Sequence, residues 1–411
     1  MIGEHTKATI HRGARWWKSC SGSGAGHPAS IGNPLEEIVR LEHFQDVLHF
    51  DPDVLCSASI AMERSARPSA MMDGISDEKR PSNDAGSSLE KRMTSDPFYP
   101  AWWLSNRHLQ TIWPVLCRRR IPLETRRERV ELPDGDFLDV DWVGRGGPIV
   151  IVLHGLQGSA ESNYARGLLK NIEARGWRGL LMHFRGCSGE ANRLPQSYHS
   201  GETGDVDWFA RELRRREPET PLAAVAYSLG GNVLLKWLGE SGADNPLKAA
   251  VAVSIPFDLG SAADSMESGF SRVYQWYLMR KLRKAVRAKM ANGSFELPLS
   301  SADLDRLRTF REFDDAVTAP IHGFRSAHDY YERCSSRQFI DRIETPTLVL
   351  HAADDPLMHP GIIPEPGAHS ANVRLEVSPN GGHVGFVSGA WPWSARYWLE
   401  DRIPEFLQAH I

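Results

Sequence analysis

From Phe98 onward, short apolar runs rich in β-branched residues alternate with segments whose apolar positions recur at helical spacing. The runs at 129–132, 137–143, 149–153, 179–183, 223–227, 249–254, 347–350 and 374–377 read as strands, and 163–174, 203–215, 232–240 and 394–408 read as helices. The first two strands lie close together around Pro133-Asp134-Gly135-Asp136, which reads as a hairpin. Beyond it, strands separated by helices predict a mainly parallel sheet covered on both faces, an α/β fold. The almost uninterrupted apolar runs at 149–153 and 249–254 suit central strands of that sheet.

Two stretches depart from this alternation. Residues 256–345 hold a long helical pattern at 271–290, dense in Arg and Lys, followed by loops rich in Pro, Asp and aromatic residues. An insertion between two late strands is either a lid over a site or a set of ordinary connecting helices. Residues 1–92 have a different texture, rich in Gly, Ser and Ala at 19–33 and mixing charges with Ser, Pro and Gly at 64–92. Neither stretch buries enough apolar surface to offset ordering, so 1–92 reads as a disordered extension preceding a domain at 93–411. Inside it, Asn33-Pro34-Leu35-Glu36 starts one amphipathic helix carrying Ile38, Leu41, Phe44 and Leu48. Alternatively the assigned start is too early, and Met93-Thr94-Ser95-Asp96 is the natural N-terminus.

Composition narrows the class without naming a chemistry. Apolar and charged fractions of 41% and 24% are those of a soluble globular protein, and a net charge of −4 gives no reason to expect a nucleic-acid partner. The arginine runs at 118–120, 126–127 and 214–216 read as solvated surface. Five scattered cysteines without Cys-x-x-Cys spacing point to a reducing compartment and no structural zinc. Neither a transmembrane run nor the apolar core of a signal peptide is evident, so a cytoplasmic protein with no integral membrane segment is expected.

Candidate chemistry centres on Ser228, in Val225-Ala226-Tyr227-Ser228-Leu229-Gly230-Gly231-Asn232. A serine on the sharp turn between a buried strand and a helix is a nucleophile elbow, and small residues let strand and helix pass close together. Ala226 stands where the usual Gly-x-Ser-x-Gly pattern has its first glycine, so the motif alone leaves a tight-turn serine as an alternative.

A serine hydroxyl needs a base, and the base an orienting acid, here expected in the chain order Ser, Asp, His. The run 345–352 ends in Ala353-Asp354-Asp355-Pro356, and the last strand leads to Asn380-Gly381-Gly382-His383-Val384-Gly385-Phe386. His383 is the candidate base and Asp355 the favoured acid, with Asp354 capping the turn; Asp258, after the preceding strand, is a further candidate acid. Backbone N–H groups of Leu156, in His154-Gly155-Leu156-Gln157-Gly158, and of Leu229 are placed to bind an oxyanion. His154 reads as a residue that stabilises this loop.

Several further segments extend the pattern in order along the chain. They are residues 103–112 (WLSNRHLQTI), 184–190 (FRGCSGE), 197–201 (SYHSG), 313–315 (FDD), 318–320 (TAP), 323–324 (GF) and 381–386 (GGHVGF). Together with the triad candidates they resemble the YheT-like branch of the α/β-hydrolases, from about Asp96 to the C-terminus. The resemblance implies an α/β-hydrolase fold and a Ser-Asp-His hydrolase of carboxylic esters, with Ser228, Asp355 and His383 in the catalytic roles and a small-molecule or lipid-like ester as substrate. Some members are membrane-anchored lipid hydrolases, whereas no such anchor is expected here. No metal or organic cofactor is implied. An acyltransferase or thioesterase on the same triad, and a non-catalytic binding module on the same scaffold, remain open alternatives. Residues 185–189 either shape the floor of the site or form a glycine-rich turn, and Cys187 among them is not a candidate nucleophile.

Overall fold

The computed structural model describes residues 97–291, 293 and 299–411. The expectations for residues 1–92, including the extension, its helix and the alternative start at Met93, lie outside the described residues.

Eight strands form one sheet: β1 (Arg126–Glu131), β2 (Phe137–Val143), β3 (Ile149–Leu153), β4 (Arg178–Met182), β5 (Leu222–Tyr227), β6 (Ala249–Val253), β7 (Thr347–Ala352) and β8 (Val373–Ser378). Their order is β1-β2-β4-β3-β5-β6-β7-β8. β1 and β2 form the expected antiparallel hairpin, β2 pairs antiparallel with β4, and every later pairing is parallel. The five side chains of β3 are wholly buried and alternate between two cores. Ile149, Ile151 and Leu153 face one, and Val150 and Val152 face the other. That is why the strand reads as a continuous apolar run: a sheet covered on both faces has no solvent side. Each such large side chain contributes about 1.5–3 kcal/mol on burial.

The helices that matter for the site are α1 (Arg107–Leu116), α2 (Asn163–Ala174), α3 (Gly204–Arg216), α4 (Leu229–Ser241), α5 (Ser271–Ala291) and α6 (Leu399–Gln408). α4 is buried on all sides from Leu229 to Gly239. Alanines at 223, 224 and 226 in β5 and at 249, 250 and 252 in β6 leave room for it to approach the sheet. Asn232 then ties α4 to its surroundings, donating to the carbonyls of Ser200 and Cys334 at 2.7 and 2.8 Å and accepting from Ser336 N at 2.9 Å.

The interval between β6 and β7 contains the expected long helix α5, preceded by a short helix at Leu259–Ser265, but the stretch read as loops also forms short helices at Ser301–Arg306, Phe310–Phe313, Ala319–His322 and Ala327–Cys334. Lys289 fastens the end of α5 to the loop after β4. Its ammonium donates to Asn192 Oδ1, Pro195 O, Gln196 O and Ser197 Oγ at 2.7–3.0 Å.

Three expectations need correction. The last helix begins at Leu399, not 394, because Arg396 and Tyr397 (β10) pair with Ser388 and Val387 (β9) and take the chain out of helical conformation. The pattern also passed over α1, whose Asn106 cap accepts from the N–H groups of His108 and Leu109. The arginine runs are not uniformly solvated. Arg118 is paired with Glu400 at 2.6 Å, its side chain 10% exposed and lying over the Tyr397 ring. Arg127 makes a two-pronged pair with Asp141 at 2.8 and 2.9 Å. No helix among the described residues is long and apolar enough to cross a membrane.

Candidate active site

β3 has β4 on one side and β5 on the other, so the crossovers diverge there and open a crevice at the carboxyl ends of the strands. Ser228 sits at the end of β5 with φ 52° and ψ −120°, a conformation disfavoured for any residue with a Cβ. The turn holds because Ser228 N donates to Val253 O at 2.8 Å and Ser228 O accepts from Asn232 N at 3.1 Å. Gly230 is needed for the close approach of α4: a Cβ there would lie 2.5 Å from His154 O. Ala226 is fully buried in β5, opposite Leu153 and Ala252, and its methyl packs into one of the cores. The missing first glycine is thus accommodated as ordinary packing.

His383 reaches the serine from the loop after β8, and Asp355 from the loop after β7. His383 Nε2 lies 3.0 Å from Ser228 Oγ, and His383 Nδ1 lies 2.7 Å from Asp355 Oδ2. Asp355 is 2% exposed. Burial alone would raise its carboxyl, but the His383 imidazole facing it and the Leu357 N–H at 2.9 Å outweigh this and hold it below the ordinary carboxylate range. An ionised Asp355 accepts the Nδ1 proton, which leaves Nε2 as acceptor for the serine hydroxyl.

The other acids do different work. Asp354 does not cap its own turn. It reaches across to the histidine loop, accepting from Gly382 N at 3.0 Å. Asp258 caps the helix Leu259–Ser265 by accepting from Ser261 N at 2.9 Å, the part of a strand-end turn residue.

Three residues that the sequence did not single out position the histidine loop. His383 N donates to Thr111 Oγ1 at 2.9 Å, and Val384 N donates to Ser254 Oγ at 3.0 Å. Gln110 donates from Nε2 to Leu104 O and Val387 O at 2.9 Å, and accepts from Val387 N at 2.7 Å. Positive φ values gather here: besides Ser228, they occur at Gln157, Ser254, Val384 and Phe386. A β-branched residue such as Val384 adopts φ 59° only when its surroundings impose it. The signal in the sequence was the 103–112 segment, which matched a family pattern without revealing what its polar residues hold.

The loop after β3 is fixed by two tyrosine hydroxyls. Gly155 N donates to Tyr164 Oη at 3.0 Å, and Gln157 N donates to Tyr198 Oη at 2.9 Å. Leu156 N, between them, has no hydrogen-bond partner among the described residues. Leu229 N opens α4, where the first N–H groups lack intrahelical acceptors. His154 braces the same loop: Nδ1 donates to Gly155 O at 2.7 Å, and Nε2 accepts from Phe184 N at 3.2 Å. Burial drives its imidazole down to about 3, so it is neutral.

Ser228, Leu156 and Leu229 share a cavity of about 320 Å³. Its walls are largely apolar and include Leu278, Leu282 and Val286 of α5, Phe313 and, in the turn Asp314–Thr318 that follows it, Val317. The insertion therefore roofs the site. Arg185, Gly186 and Gly189 form part of the wall, which places the glycine-rich segment at the cavity as well as in a turn. Cys187 is a thiol pushed up to about 12 by burial, unsuited to nucleophilic attack.

Comparison with known proteins agrees with this architecture. A family described as the alpha/beta hydrolase fold matches residues 148–390. YheT of Escherichia coli (strain K12), a provisionally named esterase, is 46% identical over 323 residues, covering 77% of this chain and 95% of YheT. A monoacylglycerol lipase of Saccharomyces cerevisiae is 32% identical over 292 residues, 69% of this chain and 63% of the yeast protein. Phospholipase ABHD3 of Mus musculus is 27% identical over 331 residues, 78% of this chain and 80% of the mouse protein. The eight-stranded sheet, the family match and the identity spanning almost all of YheT establish that the chain belongs to the α/β-hydrolases, within their YheT-like branch.

Proposed function

We propose that this α/β-hydrolase cleaves carboxylic esters through an acyl-enzyme on Ser228. The observation that carries the reading is the double engagement of His383, bonded at Nδ1 to Asp355 and at Nε2 to Ser228. Ser228 Oγ attacks the ester carbonyl carbon as its proton passes to His383 Nε2. The carbonyl oxygen becomes an oxyanion facing the N–H groups of Leu156 and Leu229. Collapse breaks the acyl–oxygen bond, and the departing alkoxide takes the proton from Nε2. Water then attacks the acyl carbon, gives a proton to His383, and releases the acid as Ser228 recovers its hydrogen. Asp355 stays ionised throughout, fixing the imidazole tautomer and stabilising the imidazolium.

The apolar cavity supports an acyl chain as the part of the substrate it receives. The stripe Leu278, Leu282, Ala285, Lys289 on α5 extends about 16 Å, at 1.5 Å per residue. That length suits short- to medium-chain acyl groups, and the names of the yeast and mouse relatives, a monoacylglycerol lipase and a phospholipase, support a lipid-like ester. The test is Ser228→Ala in a short-acyl ester assay. Loss of nearly all turnover is expected, and turnover at the unaltered rate would overturn the reading.

A further inference from the structure

Beside the site lies a surface unlike the rest of the molecule. Tyr99, Trp102, Trp391 and Trp393 are 71%, 62%, 42% and 69% exposed. The three indoles are assembled. Trp102 and Trp391 meet edge to face with centroids 5.7 Å apart, and Trp391 and Trp393 stack at 5.5 Å. Trp102 Nε1 donates to Ala390 O at 2.9 Å, which fixes the group on the turn after β9. Core packing does not account for three large rings left in water side by side, and such clusters mark interaction surfaces.

Charge identifies what the surface fits. The two segments that build this side of the molecule, residues 97–123 and 377–399, contain Arg107, Arg118, Arg119, Arg120 and Arg396 and no Asp or Glu, although the whole chain has a net charge of −4. Arg118 and Arg120 are paired with Glu400 and Glu161. Arg107, which opens α1, and Arg396, in β10, are exposed and make no ion pair among the described residues. Exposed indoles with polar N–H groups, flanked by unpaired arginines, match the interface of a bilayer, where rings sit among headgroups and cations meet phosphate.

We propose that this tryptophan–arginine face docks on an anionic phospholipid surface. The face is continuous with the site. Ala101 N donates to Val387 O at 3.0 Å, and Gln110 bridges Leu104 and Val387, four residues beyond His383. Leu109 on α1 and Trp276 on α5 are also exposed, at 44% and 40%, and α1 meets α5 where His108 Nδ1 lies 3.2 Å from Tyr274 Oη. Docking by this face brings the histidine loop and the roofed cavity close to lipid and needs no membrane-crossing helix. The inference stands whether or not Ser228 is the nucleophile.

The test is co-sedimentation of the full chain with phosphatidylcholine vesicles, with and without phosphatidylglycerol. The protein is expected to bind the anionic vesicles, and the variant W102S/W391S/W393S to bind them at least tenfold more weakly. R107Q/R396Q is expected to lose about tenfold on anionic vesicles and little on neutral ones. Melting temperature and circular dichroism show that each variant is folded, and the arginine variant stands alone should the tryptophan variant fold poorly. Absence of vesicle binding, or equal binding by the protein and both variants, would overturn the proposal. So would a dimer that disappears in the tryptophan variant while vesicle binding is absent, which would assign the face to self-association.

Discussion

The backbone N–H of His383 donates to the hydroxyl of Thr111 at 2.9 Å, joining residues 272 positions apart. This bond sets the height of the histidine loop above Ser228, and Ser254 and Asp354 hold the same loop through Val384 N and Gly382 N. Thr111→Val keeps the shape and removes the acceptor. One such bond is worth about 1 kcal/mol or slightly more, so kcat on a short-acyl ester should fall about five- to tenfold with KM little changed. An unchanged kcat would show that the loop is placed without Thr111.

The two tyrosines that hold the loop after β3 make a separate prediction. Tyr198→Phe deprives Gln157 N of its acceptor and loosens the loop that presents Leu156 N. Turnover should fall about tenfold or more, because donors act only when they are already placed for the developing charge. Tyr164→Phe, which frees Gly155 N, should act in the same direction. Steady-state kinetics with the melting temperature as control separates a kinetic effect from loss of fold.

Filling the cavity tests its assignment to the acyl chain. Ala285 lies on the α5 stripe, about 10 Å along the helix from Leu278. Ala285→Trp should shift preference toward short chains, lowering the octanoyl-to-acetyl ratio of kcat/KM at least tenfold. An unchanged ratio would place the acyl chain elsewhere.

His154 gives a pH signature. Its pKa is lowered by burial from 6.5 to about 3, so folding favours the neutral ring. The corresponding stability is complete above the unfolded value of 6.5 and is lost as pH falls from there toward 3. Between pH 8 and pH 5 this amounts to about 2 kcal/mol. Unfolding free energies of the protein and of His154→Asn, from denaturant titrations, should therefore converge by that amount as the pH is lowered. Parallel pH curves would mean that His154 takes up no protons on unfolding.

Much of this architecture is legible in the sequence, for identifiable reasons. β3, β5 and β6 are buried on both faces, so their apolar runs leave little ambiguity. Ser228, Asp355 and His383 stand out because each follows a strand end in an order that the topology dictates. Gln110, Thr111 and Tyr198 lie in segments that matched a family pattern but were given no role, and Ser254 and Tyr164 were passed over, because what these side chains hold exists only through tertiary contacts. Asp354 was misread for the same reason, since its partner Gly382 lies 28 residues away. The start of the last helix was placed too early because Trp391 to Trp398 carries apolar residues at spacings that suit a helix. In the fold, Arg396 and Tyr397 are held by the two-residue strand β9 instead.

The most direct measurement is intact-mass analysis after exposure to a fluorophosphonate, followed by peptide mapping. One phosphonyl adduct on Ser228 is expected, absent in Ser228→Ala and formed far more slowly in His383→Ala, because the proton on Oγ needs the imidazole as acceptor. No adduct on Ser228 in the folded protein, or one formed equally fast without His383, would contradict the account.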